Sequence, residues 1–583
     1  MNAQESYKVW LASDLIDEET KAELRGIEGN REEIEERFYT ELEFGTGGLR
    51  GVMGAGLNRM NVYTVRKATQ GLANYLLKEM DAKECSVVIA YDNRNNSMRY
   101  ALETAGCLIA NGIKVYIFDS LRPTPMLSYA VRCLDCSAGV NITASHNPKE
   151  YNGYKVYGPD GSQVVPPMDK AIMKEVINIS NIADCKYTLP NKLPYEQGAG
   201  SYLEGLFNVL DSSVDDAFDE ELHKMVLRPD VIRKASDLSF IYSPLHGTGL
   251  VPVMRVLKEC GFENVTVVPE QEKPDGDFPT VRKPNPEEPE AFECALKLAK
   301  AVKPELLLAS DPDADRLGIC ALDKESGEYV RFTGNMMGAL LCEYVLSTRK
   351  ELGTLPENAS VVSTVVITDM VRKICANYGV HCEDRGLIGF KHIAKKIREY
   401  EENGTYSYVF GLEDSDGCLP GTYARDKDAI GAVMLLCEAA AYYHTKDMTL
   451  WDQMLAIYNK YGYFAEDLKT KKIAGLDGQQ RIADMIASLR ENPCEEIGGL
   501  KVLSITDYKL KTKKDMSTGV VTDENIDSSN MIYYRLENDS WFLVRPSGTE
   551  PKIKFYIGTK GDSVAGAKKN LEVFAVDIMK MFD

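Results

Sequence analysis

Residues 306–316 read Leu-Leu-Leu-Ala-Ser-Asp-Pro-Asp-Ala-Asp-Arg: an apolar run that breaks into a turn with acids at alternate positions, Asp311, Asp313 and Asp315. The first four residues predict a buried strand, and the turn places its polar groups at the strand's carboxyl end. In α/β sheets that end is where loops converge on ligands. The same design recurs on both sides. Ser86–Tyr91, Ile113–Phe118, Ala138–Ile142, Val361–Val366 and Tyr408–Leu412 are further buried strands, and Leu238–Tyr242 runs into Ser-Pro-Leu-His-Gly-Thr-Gly. Helical spacing lies between them, as in Val65, Ala68, Leu72 and Leu76. Strands alternating with helices predict an α/β fold with parallel or mixed sheets.

The chain has 583 residues, which at about 150 residues per domain suggests three to five domains. Hydrophobic residues make up 44% and charged residues 27%, the balance of a globular protein. With 68 Lys and Arg against 88 Asp and Glu the net charge is −20, which argues against bulk affinity for nucleic acid or anionic membrane. A locally basic pocket for a small anion stays compatible with it. The start of the chain lacks the basic and apolar regions of a secretory leader, and no run is long and apolar enough to span a bilayer. Fourteen scattered cysteines, with a single Cys133-Leu-Asp-Cys136 pair, predict reduced thiols in a cytoplasmic protein.

Pro269–Pro289 holds six prolines and predicts a long ordered loop inside an α/β domain. After about residue 490 the alternation gives way to strands at Lys501–Ile505, Met531–Leu536, Trp541–Val544 and Lys554–Ile557, followed by a helix over Val564–Met581. That is an α+β domain. Lys509, Lys511, Lys513 and Lys514 form a basic run that predicts a solvated strand or loop.

Several clusters carry chemistry. Oxygen ligands at the spacing of Asp311, Asp313 and Asp315 suit a hard divalent cation, and Mg²⁺ if a phosphate adds another oxygen; the loop is too short for an EF-hand, and a solvated acidic turn has the same pattern. Arg316 follows, placed to orient the carboxylates or meet phosphate. Ser145, in Thr-Ala-Ser-His-Asn-Pro (143–148), sits after a strand among small turn formers, exposed enough for a nucleophile or phosphate carrier. His146 is its neighbour, but adjacent side chains usually diverge, so no Ser–His hydrolase pair is expected and no G-x-S-x-G elbow exists. Arg545-Pro-Ser-Gly-Thr-Glu-Pro-Lys552 offers a two-pronged Arg545, the hydroxyls of Ser547 and Thr549 and the amide of Gly548 to a phosphate. It lacks the spacing of a nucleotide P-loop. Phe44–Gly51 presents Arg50 on a flexible loop, and His246–Gly249 sits at a strand end.

Together and in order, these segments resemble the α-D-phosphohexomutase superfamily, most closely its long-chain phosphoglucomutase and phosphomannomutase branch. The resemblance runs essentially the whole length. It implies three related α/β domains with mixed sheets and a smaller α+β C-terminal domain around a central cleft. On this chain that organisation assigns residues 1–205, 206–322, 323–465 and 466–583. Thr-Ala-Ser-His-Asn-Pro is similar to the family's active-site serine loop, which implies a phosphoserine at Ser145. Asp-Pro-Asp-Ala-Asp-Arg is similar to the metal loop, implying Mg²⁺ on Asp311, Asp313, Asp315 and a phosphoserine oxygen of Ser145. Gly411–Gly417 (Gly-Leu-Glu-Asp-Ser-Asp-Gly) resembles the sugar-recognition loop, placing Glu413 and Ser415 on sugar hydroxyls. The segment 545–552 resembles the distal phosphate loop, with Arg545, Ser547, Gly548 and Thr549.

Three departures stand out. Pro312 and Ala314 replace glycines of the commonest metal loop; Gly417 stands where some relatives carry a histidine; Ile388 stands where Thr is usual. Lys155 matches a family lysine near the reacting hydroxyl and is the preferred acid/base group, assisted by Arg50 and His146, while Lys391 contacts sugar or phosphate. The implied activity is phosphoglucomutase, an isomerase moving a phosphoryl group between glucose 1-phosphate and glucose 6-phosphate through glucose 1,6-bisphosphate, which also serves as activator. Phosphomannomutase, phosphopentomutase and glucose 1,6-bisphosphate synthase are alternatives within the class. A silent sugar-phosphate-binding relative and a metal-dependent phosphatase lie outside it. The expected partner is a small sugar phosphate, with neither nucleic acid nor membrane, and the expected state is a monomer or weak dimer.

Overall fold

The computed structural model describes residues 2–43, 48–188, 196, 198–235, 237–473, 478–547 and 552–582. Four sheets follow one another along the chain. In the first, the strand order is Gly48–Val52, Tyr151–Tyr157, Ala138–Ile142, Ser86–Tyr91, Lys114–Phe118, Phe207–Leu210, Gly200–Tyr202. The second runs Tyr329–Arg331, Leu317–Leu322, Leu306–Ser310, Phe240–Ser243, Val265–Val267, and the third His381–Gly386, Ala359–Thr364, Ser407–Glu413, Gly417–Leu419. The fourth is antiparallel and includes Tyr463–Lys472, Lys552–Gly561, Trp541–Pro546, Ile532–Leu536 and Leu500–Asp507.

One arrangement recurs in the first three, and its antiparallel half also in the fourth. Ala138–Ile142, Leu306–Ser310 and Ser407–Glu413 each pair in parallel with an inner strand on one side. On the other side each pairs antiparallel with the strand that follows it in sequence. In the fourth sheet Trp541–Pro546 pairs antiparallel with Lys552–Gly561. The serine, aspartate, sugar-recognition and phosphate loops are thus the same structural object, a connection between two neighbouring antiparallel strands. No sequence repeat marks this equivalence, because only backbone direction is shared.

Apolar strands set the cores. Leu306–Ser310 is buried at every position, as is Ala138–Ile142. The second and third sheets share one continuous core, in which Ala429–His444, an apolar helix capped by Asp428 on the amides of Ile430 and Gly431, packs between them. Backbone bonds tie their loops together: Leu317 N–H donates to the Asp416 carbonyl at 2.9 Å, and Ala429 N–H to that of Ala314 at 3.1 Å. The first sheet joins at Thr124, whose N–H donates to the Asp313 carbonyl at 2.9 Å.

The Pro-rich stretch is an ordered loop, as expected, with Gln271, Phe278 and Val281 buried. It crosses to the first sheet, where Asn93 Nδ2 donates to the Asp275 carbonyl at 2.9 Å and Phe278 lies 5.0 Å beneath the Arg94 guanidinium. The C-terminal sheet docks on the third domain through an apolar patch of Val366, Tyr508, Trp541 and Tyr556. Ion pairs surround it, Lys373–Asp539 at 2.8 Å, Arg385–Glu524 at 2.7 Å and Lys395–Asp527 at 2.8 Å.

Several expectations are corrected. The strand-rich tail begins at Tyr463, well before residue 490; Tyr463–Lys472 carries five charged residues in ten and has no apolar run to reveal it. The first sheet continues to Leu210 and the second to Arg331, through short strands that carry little signal. Arg50 lies on the edge strand Gly48–Val52, not on a flexible loop. Three helices, Ala3–Ala12, Glu18–Gly26 and Arg31–Phe38, precede that strand and join its core through Tyr7, Trp10, Leu24 and Phe38. All fourteen cysteines are free thiols, and among the described residues no helix is long and apolar enough to cross a membrane.

Candidate active site

All four domains contribute to one cleft of about 860 Å³. Its walls include Arg50 and His146 from the first domain, Arg316 and Arg331 from the second, Lys391, Glu413 and Ser415 from the third, and Arg545 and Lys554 from the fourth. Seven Lys and Arg side chains line it among eight carboxylates, so an anionic ligand would meet individually placed cations, not a field of one sign.

Ser145, next to the cleft-lining His146, is only 2% exposed, which corrects the expectation of an exposed serine. Its φ of 51° is left-handed, so the chain turns sharply at the serine. Its Oγ donates to Asp311 Oδ2 at 2.7 Å and lies 3.2 Å from His146 Nδ1. The adjacent serine and histidine side chains thus meet rather than diverge, a second correction. His146 is partly exposed, yet desolvation in the cleft, with Arg316 and Arg50 beside it, holds its imidazole well below the usual range. Arg94, fully buried, fixes the loop from behind: it donates to the carbonyls of Ser145, Asn147, Pro148 (2.9 Å) and Tyr151 (3.2 Å). Arg50 reaches the same loop, with Nη1 3.2 Å from Asn147 Oδ1.

Asp311, Asp313 and Asp315 are buried and bring one carboxylate oxygen each within 4.8 Å of the others. Asp311 Oδ1 accepts from the amides of Asp315 and Arg316 at 3.1 and 3.0 Å, which closes the loop on itself. Ala314 has a φ of 47°, the conformation that a glycine would adopt without strain. A Cβ on Gly247 of the His-Gly-Thr-Gly segment would lie 2.4 Å from Pro312 Cα, so that glycine exists to let the acidic loop pack.

Burial and the neighbouring Asp315 and Asp313 push Asp311 well above the carboxylate range. Asp313 is buried too, but Lys155 pulls it below that range. Asp313 Oδ1 and Asp315 Oδ1 are buried with no hydrogen-bond partner among the described residues. Crowded carboxylates with orphaned oxygens fit a hard divalent cation.

Lys155 donates to Asp313 Oδ2 at 2.8 Å and is 3.6 Å from Asp315. Burial lowers its ammonium, but the two aspartates outweigh this and raise it. Thr124 Oγ1 donates to the same Asp313 oxygen at 2.7 Å and accepts from Asn141 Nδ2 at 2.7 Å. On the sugar-recognition loop Ser415 Oγ donates to Glu413 Oε1 at 2.8 Å. Lys391 is the second residue of helix Phe390–Asn403, and burial lowers its ammonium from the usual value. Arg545 is braced by Tyr556, whose hydroxyl accepts from Nη2 at 3.1 Å and whose ring lies 5.6 Å from the guanidinium. Ser547 is at the strand end, its N–H donating to the Lys552 carbonyl at 2.7 Å. Gly548 and Thr549 lie outside the described residues.

Sequence reasoning missed Arg94, Thr124, Arg331 and Lys427. Lys427 stands in Arg-Asp-Lys-Asp (425–428), a charged run directly before an apolar helix, and that abrupt change was the available signal. Arg94 and Thr124 act through distant loops and left none.

Four sheets in sequence, a buried serine on an aspartate cluster and a polar cleft reached by all four domains are the features that known proteins share with this chain. Sequence profiles described as phosphoglucomutase/phosphomannomutase alpha/beta/alpha domains I, II and III match residues 41–183, 217–324 and 333–461, and that of the C-terminal domain matches 510–574. The chain is 36% identical over 529 residues to a phosphoglucomutase of Staphylococcus haemolyticus, covering 91% of this chain and 92% of the relative. It is 35% identical over 530 residues to one of Staphylococcus aureus, with the same coverage. The fold is like that of a putative phosphomannomutase from Thermus thermophilus, at TM-score 0.67, 21% identity and coverage of 93% and 99%. It is also like that of the phosphoprotein pp63/parafusin from Paramecium, at TM-score 0.67, 17% identity and coverage of 93% and 94%. The chain belongs to the phosphoglucomutase/phosphomannomutase family. It is an enzyme of the isomerase class, a phosphohexomutase.

Proposed function

We propose that the protein is a phosphoglucomutase that interconverts glucose 1-phosphate and glucose 6-phosphate through phosphorylated Ser145 and a glucose 1,6-bisphosphate intermediate. The observation that carries this is the 2.7 Å contact between Ser145 Oγ and Asp311 inside a buried aspartate cluster. A hydroxyl there is placed to carry a phosphoryl group beside a cation site. Its 2% exposure supports a mutase over a phosphatase, since transfer to a sugar instead of to water needs a floor closed to solvent. The relatives named phosphoglucomutase support glucose as the sugar.

Mg²⁺ is the cation we propose for Asp311, Asp313 and Asp315, and when bound it offsets charge on the transferred phosphoryl group. Arg94 holds the serine loop in its left-handed turn, so the nucleophile needs no rearrangement to point at the cleft. Lys155, held protonated by its aspartate partners, stabilises the in-line transfer and hands its proton to the departing oxygen as it recovers one from the hydroxyl that accepts the phosphoryl group. Arg50 and His146 face the same phosphoryl position. Glu413 and Ser415 bind vicinal hydroxyls, and Arg545 with Lys391 anchors the non-reacting phosphate. A ligand that must bind in two orientations is suited by contacts away from its reacting atoms.

The test is a substrate panel. With Mg²⁺ and trace bisphosphate, the highest kcat/KM is expected on glucose 1-phosphate, above mannose 1-phosphate and ribose 1-phosphate. A preference for mannose or pentose phosphate replaces the assignment with the corresponding mutase, and net release of inorganic phosphate overturns the transfer itself. Arg545→Ala is expected to raise KM about tenfold to a hundredfold, the loss of a charge-assisted phosphate contact, while kcat falls only severalfold. A large fall in kcat at unchanged KM would place Arg545 in the transfer instead.

A further inference from the structure

A second cavity, of about 460 Å³, lies behind the strand that carries Arg50, and no residue lines both it and the cleft. Its volume falls within the ~300–1,000 Å³ of small-molecule sites. Trp10, Ile16, Leu49, Tyr63, Val176 and Ile179 are buried around it. Trp10 and Ile16 come from the segment ahead of the first sheet, before the residues that the domain I profile matches. Among the described residues that line the cavity, Lys67 is the one cation and Glu41 the one carboxylate. Thr64, Lys67 and Ala68, at i, i+3 and i+4 on helix Val62–Glu79, turn one face to it. The Lys67 ammonium holds Glu41, at 2.9 Å from Oε1 and 2.7 Å from Oε2, but the Glu41 side chain is 58% exposed. An ion pair with one partner in water adds little stability, so another carboxylate can take the place of Glu41.

We propose that this cavity binds a small amphipathic carboxylate, with its apolar body among Trp10, Leu49 and Ile179 and its carboxylate on Lys67 in place of Glu41. The walls select the class. A sugar or phosphate would give up its hydration to apolar side chains that return no hydrogen bonds, whereas an apolar chain ending in one anion meets apolar walls and one cation. The site also has a route to the cleft. Side chains alternate along a strand, so in Gly48–Val52 Leu49 faces the cavity while Arg50, the next residue, faces the cleft. That strand is at the edge of its sheet and is held by one neighbour, Tyr151–Tyr157. A ligand pressed on Leu49 moves Arg50 away from Asn147 Oδ1, 3.2 Å from its Nη1, and slows the transfer without touching the sugar-recognition or distal phosphate loops.

The binding half of this inference is independent of the mutase reading and the kinetic half rests on it, so the test measures both. Octanoate, with 1-octanol as the uncharged control, is titrated calorimetrically into the full-length wild type, K67M and E41Q, with circular dichroism as the check of folding. Saturable binding of octanoate to one site is expected, about tenfold tighter than 1-octanol. K67M, which keeps the apolar stem and loses the charge, is expected to bind octanoate about tenfold more weakly and 1-octanol unchanged. E41Q removes the competing carboxylate and is expected to bind octanoate about threefold more tightly. Saturating octanoate is expected to lower wild-type kcat on glucose 1-phosphate about fivefold, with KM within about twofold. No saturable binding of octanoate overturns the proposal, and equal affinity of wild type and folded K67M overturns the seat on Lys67. Should K67M not fold, E41Q carries that arm, and an unchanged octanoate affinity overturns the seat. Binding with no change in kcat overturns the route through Arg50. Protein that binds octanoate but turns over no hexose phosphate contradicts the mutase reading and leaves this site standing.

Discussion

Ser145→Ala is expected to lower kcat by at least ~10⁴-fold while the protein stays folded. On the serine loop Ser145 alone combines a hydroxyl with contact to the aspartate cluster; Thr143 Oγ1 is turned away, accepting from the Ser145 amide at 2.8 Å. Without the Ser145 oxygen, transfer has no protein-bound acceptor, and no neighbouring group replaces it: His146 has its ring 3.2 Å away but no comparable contact to the aspartates is made by it. The structural cost is small. One hydrogen bond to Asp311 is lost, about 1 kcal/mol, and Arg94 still holds the loop's carbonyls. Kinetics on the purified variant, with a thermal melt to verify folding, check this; retention of more than about 1% of the turnover contradicts the role.

Removing divalent metal with excess chelator is expected to abolish turnover reversibly and to lower the thermal midpoint. Three carboxylates within 4.8 Å of one another repel, and burial denies them water. Lys155 and Lys427 compensate part of the charge, on Asp313 and Asp315, whereas Asp311 is left raised. A cation that binds the folded cluster and not the unfolded chain adds stability, about 2.7 kcal/mol at a hundred times its Kd. In a protein of this size that is a shift of a few degrees. Calorimetric melts with and without Mg²⁺ give the stability, and readdition of Mg²⁺ restores the rate. Full turnover in chelator contradicts the assignment of the aspartates.

The strands that carry the site were legible because their burial is written as apolar runs, unbroken in Leu306–Ala309 and interrupted only by the buried Asn141 in Ala138–Ile142. Their loops were legible because phosphate and metal chemistry restricts residue type, but alone the segments around Ser145 and Asp311 also read as ordinary turns, and it is their order along the chain together with Arg545 that set them apart. Position relative to other loops was not legible. Ser145 and Asp311 are 166 residues apart and meet only because two sheets present equivalent loops to each other. The partnership of Lys427 with Asp315 depends on a helix packed between two sheets, and Arg94 acts from the end of a different strand altogether. Edge strands such as Tyr463–Lys472 were missed because pairing with Lys552–Gly561, not an apolar pattern, holds them in place. The left-handed φ of Ser145, which turns its hydroxyl toward His146, is a property of backbone no residue type announces.

The central claim is that Ser145 carries the phosphoryl group from one sugar hydroxyl to the other. Protein labelled by radioactive glucose 1,6-bisphosphate, digested and mapped, tests it most directly. The label is expected in the peptide that contains Ser145, and addition of unlabelled glucose 1-phosphate is expected to chase it into sugar phosphate at least as fast as turnover. Label absent from Ser145 while turnover proceeds, or released only as inorganic phosphate, would contradict the account.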